Sequence, residues 1–151
     1  MRALGRVMIV LPRSADADLM REQQLAISEY TTLMHLSETP GHRMRMSELA
    51  AACDLSLSGM TRIVGRLESQ SLVERVRCAE DARGYNAVLT DAGLARLEQA
   101  WPTHLASVRR HVFDHLDGTD LTHLARALQR IAPTADTTSG SRSDGPIRSR
   151  R

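Results

Sequence analysis

The chain has 151 residues, 42% of them hydrophobic and 25% charged, with a formal net charge of +2. That is the balance of a soluble globular protein, and it excludes a membrane protein, since no apolar run approaches the ~20 residues needed to cross a bilayer. Aromatics are only 3%, so the core of a domain this size has to be built from Leu, Val, Ile, Met and Ala, a supply that suits helices better than a sheet sandwich.

Leu4, Val7, Met8 and Leu11 recur at helical spacing, so the chain opens on a helix. Pro12 is expected to interrupt it, with Ala15 to Glu22 resuming after a kink. A second helix starts near Ser28, a good N-cap residue, and carries Tyr30, Leu33, Met34 and Leu36 before Pro40-Gly41 stops it. Arg43 to Met46 is at most a short extended piece. Ser47 is the next candidate N-cap, before a very short helix with Leu49, Ala50 and Cys53 on one side. Asp54-Leu55-Ser56 makes a turn. Ser56 then caps a helix reaching to about Gln70, with an apolar stripe of Leu57, Met60, Val64 and Leu67. Two short helices joined by a tight turn form a helix-turn-helix unit.

The character then switches from helical to extended. Leu72 to Cys78 and Tyr85 to Leu89 are short strands around a polar hairpin tip, Ala79 to Gly84, which is a wing. Thr90 caps a long helix, with Asp91 in its first turn. Leu94, Leu97, Trp101, Leu105, Val108 and Val112 form a seam for helix-on-helix packing, and Pro102 should kink it. Asp117-Gly118 ends this helix. Thr119 opens a last one with Leu121, Leu124, Leu128 and Ile131 on one face. From Pro133 onward almost nothing can be buried, so residues 133–151 read as a disordered tail.

The outward stripe of the second helix of the helix-turn-helix is Ser58, Thr61, Arg62, Gly65 and Ser69. Its small residues suit close approach to a major groove. Arg62 can contact guanine in bidentate fashion, while Ser58 and Thr61 reach bases or phosphates. Gly65 lets the backbone approach the sugar-phosphate chain. Arg66 lies one turn from Arg62 and can touch phosphate or pair with Glu68 or Glu74. Arg83 at the wing tip suits a narrow minor groove, with Asp81 as its local acceptor. Ser56, Ser58, Thr61, Arg62, Gly65, Arg66, Asp81 and Arg83 are therefore the candidate contacts to double-stranded DNA.

Ser47-Glu48-Leu49-Ala50 through Thr61-Arg62-Ile63-Val64-Gly65-Arg66-Leu67-Glu68, then Glu80-Asp81-Ala82-Arg83-Gly84 and Leu89-Thr90-Asp91-Ala92-Gly93, follow one another in an order and spacing that resembles the multiple antibiotic resistance regulator (MarR) family. The match runs from about Leu4 to Ile131. It implies a mainly α fold with a small β-wing (α+β), in one domain over residues 1–132. A winged helix-turn-helix lobe would span about 28–90, and a helical dimerisation region about 1–24 and 91–132. It further implies a bacterial, cytoplasmic homodimer that represses or activates transcription from a pseudo-palindromic operator. Many such regulators respond to a small phenolic or otherwise aromatic effector between lobe and dimer region. Tyr30, Met34, His35 and Trp101 could line such a pocket. Three positions depart from the family pattern: Ser71, where a Gly usually ends the recognition helix, Ala82 in place of a second wing Arg, and Pro12 in the first helix.

Other functions find less support. Every basic residue is Arg and none is Lys, which fits phosphate and guanine recognition but also a GC-rich coding bias. No catalytic constellation or cofactor motif is present, so neither an enzyme nor a cofactor is expected. His104, His111, Asp114 and His115 have spacing that can hold a metal, but also suit a solvated helix face. Cys53 is expected in the packing and Cys78 more exposed at the base of the wing, where a cysteine-based redox sensor would need it. A winged helix used as a protein-interaction module is the remaining alternative. Val7 to Leu11 is too short for a signal peptide before Pro12 and Arg13, so a reducing cytoplasm is the expected compartment.

Overall fold

Helices from distant parts of the sequence pack along one another. The computed structural model describes residues 2–78 and 84–131. In it α1 (Arg2–Gln23) packs along α5 (Asp91–His111). Contrary to the expected interruption, α1 is continuous through Pro12, and α5 runs through Pro102. A proline removes one backbone bond, to the carbonyl four residues earlier. For Pro12 that carbonyl belongs to Met8, which is 69% exposed, so water can take the missing donor's place.

Between these helices lie α2 (Ile27–Ser37), a 3-10 turn at Pro40–His42, β1 (Arg43–Arg45), α3 (Met46–Ala52), α4 (Leu57–Ser69), β2 (Val73–Arg77) and β3 (Tyr85–Leu89). The three strands form an antiparallel sheet in the order β1-β3-β2. Val73 to Arg77 pair with Leu89 to Tyr85, and Arg43 to Arg45 pair with Val88 to Asn86. The short extended piece is thus a true strand, completing the sheet. The core joins Leu19 of α1, Leu33 and Leu36 of α2, Leu49 of α3, Met60, Val64 and Leu67 of α4, Val73 and Ala87 of the sheet, and Leu97 of α5.

Cap chemistry explains where most helices begin. Ser56 Oγ accepts the Gly59 N–H at 3.1 Å, and Thr90 Oγ1 accepts that of Gly93 at 3.0 Å, both as expected. The other starts differ from expectation. Ser28 lies inside α2, whose first amides are satisfied by carboxylates instead: Asp16 Oδ1 accepts from Ile27 at 2.8 Å and Glu29 Oε2 from Ala26 at 3.1 Å. Ser47 lies within the first turn of α3, which Arg45 precedes.

The inner face of α5 is Gly93, Leu97, Ala100, Thr103 and Ser107. Of the expected seam only Leu97 is buried, while Trp101 and Leu105 stand exposed. Small residues let α1 approach closely, so the bulky side chains point elsewhere. Asp18, only 5% exposed, fastens the pair. It accepts from Ser107 Oγ at 2.8 Å, meets His111 Nε2 at 3.0 Å and Arg110 at 3.3 Å, and accepts from Arg21 at 2.7 Å. Gln23 joins α1 to α5 as well, through Thr103 Oγ1 at 2.9 Å and Arg96.

A second unit begins at Leu116. It contains α6 (Leu121–Ile131), in which Asp120 Oδ1 accepts the N–H groups of Thr122 and His123. Asp120 therefore caps this helix, where Thr119 was expected. Leu121, Leu128 and Ile131 on α6 are exposed. Among the described residues no helix is long and apolar enough to cross a membrane. Residues 133–151 lie outside the described residues.

Candidate nucleic-acid interface

The turn between α3 and α4 is tight because Asp54 adopts a left-handed conformation, φ +53°, which Asp tolerates better than most residues. The Leu55 N–H then closes onto the Ala50 carbonyl at 2.8 Å. Met60, Ile63, Val64 and Leu67 are the buried side of α4. The expected stripe differs at one end: Leu57 is exposed and Ile63 takes its place in the core.

Ser58, Thr61, Arg62 and Ser69 are exposed on α4, and Gly65 is half-buried with nothing within 4 Å of where a Cβ would stand. Several hydroxyls are engaged by their own helix. Thr61 Oγ1 donates to the Leu57 carbonyl at 2.8 Å, and Ser69 Oγ to that of Arg66 at 2.7 Å. Ser56 and Ser58 share a hydroxyl contact of 3.1 Å. Each oxygen retains acceptor capacity toward an outside donor. Arg62 has no ion-pair partner among the described residues.

Arg66 behaves otherwise. Its Nε donates to Glu29 Oε1 of α2 at 2.7 Å, a partner not anticipated beside Glu68 and Glu74. Glu68 instead accepts from Arg75 Nε of β2 at 2.9 Å, and that guanidinium holds the Glu68 carboxyl below its ordinary range. The helix is thus braced to α2 on one side and to the hairpin on the other. The hairpin closes with the Cys78 N–H on the Gly84 carbonyl at 2.9 Å. Asp81 and Arg83 lie outside the described residues.

The sequence reading missed a cleft of about 380 Å³ between the start of α4 and the hairpin, lined among others by Arg45, Leu57, Thr61, Arg75 and Tyr85. The alternation in Arg43-Met44-Arg45 was the available signal: on a strand it places both arginines on one face. A second cavity, about 340 Å³, lies between α2 and α5, with Met34 and Trp101 in its lining. Tyr30 and His35 are not among its lining residues. Tyr30 is wholly buried, stacked on His104 at 4.5 Å, and burial pushes its hydroxyl up to about 12.

Cys53, half-buried, packs against the core as expected, whereas Cys78, expected to be more exposed, is buried. Burial pushes the Cys53 thiol up, away from a reactive thiolate. Among the described residues no three His, Cys, Asp or Glu side chains converge as a metal site, and His111 is engaged by Asp18.

The family model described as MarR family matches residues 23–84. A crystal structure of AbsC, a MarR family transcriptional regulator from Streptomyces coelicolor, is 42% identical with a TM-score of 0.77, covering 87% of this chain and 88% of that one. That of Sco3205, a MarR family transcriptional regulator from the same organism in complex with DNA, is 33% identical with a TM-score of 0.79, covering 87% and 82%. The HTH-type transcriptional repressor YetL of Bacillus subtilis (strain 168) is 31% identical over 84 residues, 56% of this chain, so the match spans half the length of that curated relative.

Proposed function

The chain belongs to the MarR family of transcriptional regulators, and on that premise we propose that it binds a pseudo-palindromic DNA operator as a cytoplasmic homodimer, represses transcription there, and is released by a small aromatic ligand. The observation that carries the reading is the outer face of α4. Ser58, Thr61, Arg62 and Gly65 form a low, cation-bearing surface on a helix braced from behind by Glu29 and Arg75. A surface of that shape fits a major groove, where Arg62 can pair with guanine. The relative crystallised with DNA supports the choice of partner.

Homodimerisation is supported by apolar side chains that each unit leaves open: Leu4, Val7, Met8, Ile9, Trp101 and Leu105 in the first, Leu121, Leu128 and Ile131 in the second. So much exposed apolar surface favours association. Effector binding is supported by the cavity beside Met34 and Trp101.

Selection of bound duplexes from random DNA tests the proposal. Two recognition helices related by a two-fold axis should enrich an inverted repeat with half-sites about one helical turn (~34–36 Å) apart. If no sequence is enriched and sedimentation shows a folded monomer, the protein-interaction reading replaces this one. Thermal shifts in a library of phenolic acids test the effector, which must bind the DNA-incompetent form better to release the operator.

A further inference from the structure

The first turn of α4 carries an apolar side chain that its own core does not use. Leu57 is 54% exposed, although Met60, three residues on, is fully buried. A single exposed leucine needs no explanation in general. This one stands at the N-terminal end of the helix whose outward face holds Ser58, Thr61 and Arg62, and the N-terminal residues of a recognition helix are those that meet base edges. It shares its cleft with Thr61, whose hydroxyl donates back to the Leu57 carbonyl, leaving a γ-methyl as the other aliphatic group of that side chain. Arg45 and Arg75 line the same cleft, Arg75 in its pair with Glu68. The surface is complementary to one thing a duplex presents in its major groove: the 5-methyl group of thymine, an apolar knob in a polyanionic wall.

We infer that Leu57 reads the 5-methyl group of a thymine in each operator half-site. Leu57 is then a specificity-determining residue for DNA, an inference that rests on the DNA-binding reading above. The contact is dispersive and dry, so it discriminates thymine from cytosine without a hydrogen bond and does not compete with the guanine contact of Arg62.

Replacing thymine by uracil removes that methyl and nothing else. Using the full chain and the operator obtained by selection, each symmetric pair of thymines is replaced in turn and affinity is measured at one salt concentration. At one pair the wild type should bind about fourfold more weakly for each methyl removed. Leu57→Ala should bind the thymine and uracil operators equally, while Leu57→Met should keep part of the difference. Circular dichroism and sedimentation should show both variants folded as wild type, since the side chain supports little of the core. If the wild type ignores uracil at every position, or Leu57→Ala retains the thymine preference, the inference is overturned while DNA binding stands. If selection yields no preferred duplex at all, the DNA-binding reading falls and this inference with it.

Discussion

Arg66 of the recognition helix and Glu29 of α2 are joined by a 2.7 Å hydrogen bond from Nε to Oε1 across 37 positions of sequence. Glu29 is buried, and its other oxygen accepts the Ala26 N–H. One carboxylate therefore secures the start of α2 and anchors α4, so the direction of the outer face of α4 is set from behind. Arg66→Ala would strand that carboxylate. We expect a loss of about 1–3 kcal/mol in stability and weaker operator binding with an unchanged salt slope. If Arg66 acts on phosphate instead, stability would hold and the slope of log affinity against log salt would fall by about 0.9 per lost contact.

Asp18 gives the α1–α5 pair a dependence on acid. The Ser107 hydrogen bond, followed by Arg21, His111 and Arg110, pulls its carboxyl from 3.8 to about 2 against the opposing effect of burial. Because the folded value is the lower one, the contribution is complete above the unfolded value of 3.8 and is lost as pH falls toward about 2. At most about 2 kcal/mol is involved, given the exposed arginine partners. Asp18→Asn should be less stable at neutral pH and should flatten the urea midpoint against pH within that window. An equally steep acid loss in Asp18→Asn would place the titration elsewhere.

Ser71 ends the α4 segment with φ +60°, in the left-handed region. The position accepts a hydrogen bond from Thr90 Oγ1 through its carbonyl and donates its N–H to Glu68 O, neither of which needs a side chain. Ser71→Gly should therefore stabilise the protein by about 0.5–1 kcal/mol, the relief of left-handed strain exceeding the added freedom of the unfolded chain. Urea denaturation at fixed protein concentration reads this as a raised midpoint at constant slope. A lowered midpoint would assign the serine side chain a role of its own.

Gly65 and Gly93 should respond oppositely to the same substitution. A Cβ on Gly93 would stand 2.1 Å from the Leu72 carbonyl oxygen and 2.6 Å from Leu89 Cδ1, so Gly93→Ala should lose about 3 kcal/mol or more. Gly65 sits mid-helix in open space, so Gly65→Ala should gain about 0.5–1 kcal/mol of helix stability. If the backbone there approaches DNA, the more stable variant should bind the operator less tightly. Unchanged operator affinity would take Gly65 out of the interface.

Arg62→Ala and Arg83→Ala separate base reading from charge. The first should cost about 1–3 kcal/mol per half-site and relax preference at one symmetric pair of positions. The second should weaken operator and scrambled duplex alike, lower the salt slope by about 0.9 per phosphate charge, and dull any preference for A·T-rich flanks. Titrations at several salt concentrations distinguish the two patterns. Both variants binding like wild type would remove helix and wing from the contact.

Much of this protein is legible in its sequence because it is decided locally. Ser56 and Thr90 cap their helices through amides three residues on, a chemistry that four residues suffice to specify. The strands flanking residues 79–84 and the amphipathic run from Met60 to Leu67 are likewise short-range patterns, and together with the MarR-like motifs they place the recognition helix. What only the tertiary structure decides is which of several locally equivalent options finds cover or a partner. Helical periodicity puts Leu57 in line with Met60, yet Leu57 stands exposed while Ile63 is buried. Cys78, expected more exposed at the base of the wing, is buried for the same reason. The carboxylates of Asp16, Asp18 and Glu29 look like ordinary surface charges until folding brings Ile27, Ser107 and Arg66 against them, across 11, 89 and 37 positions. No local pattern encodes such contacts, since their energy depends on burial that exists only once the chain has packed.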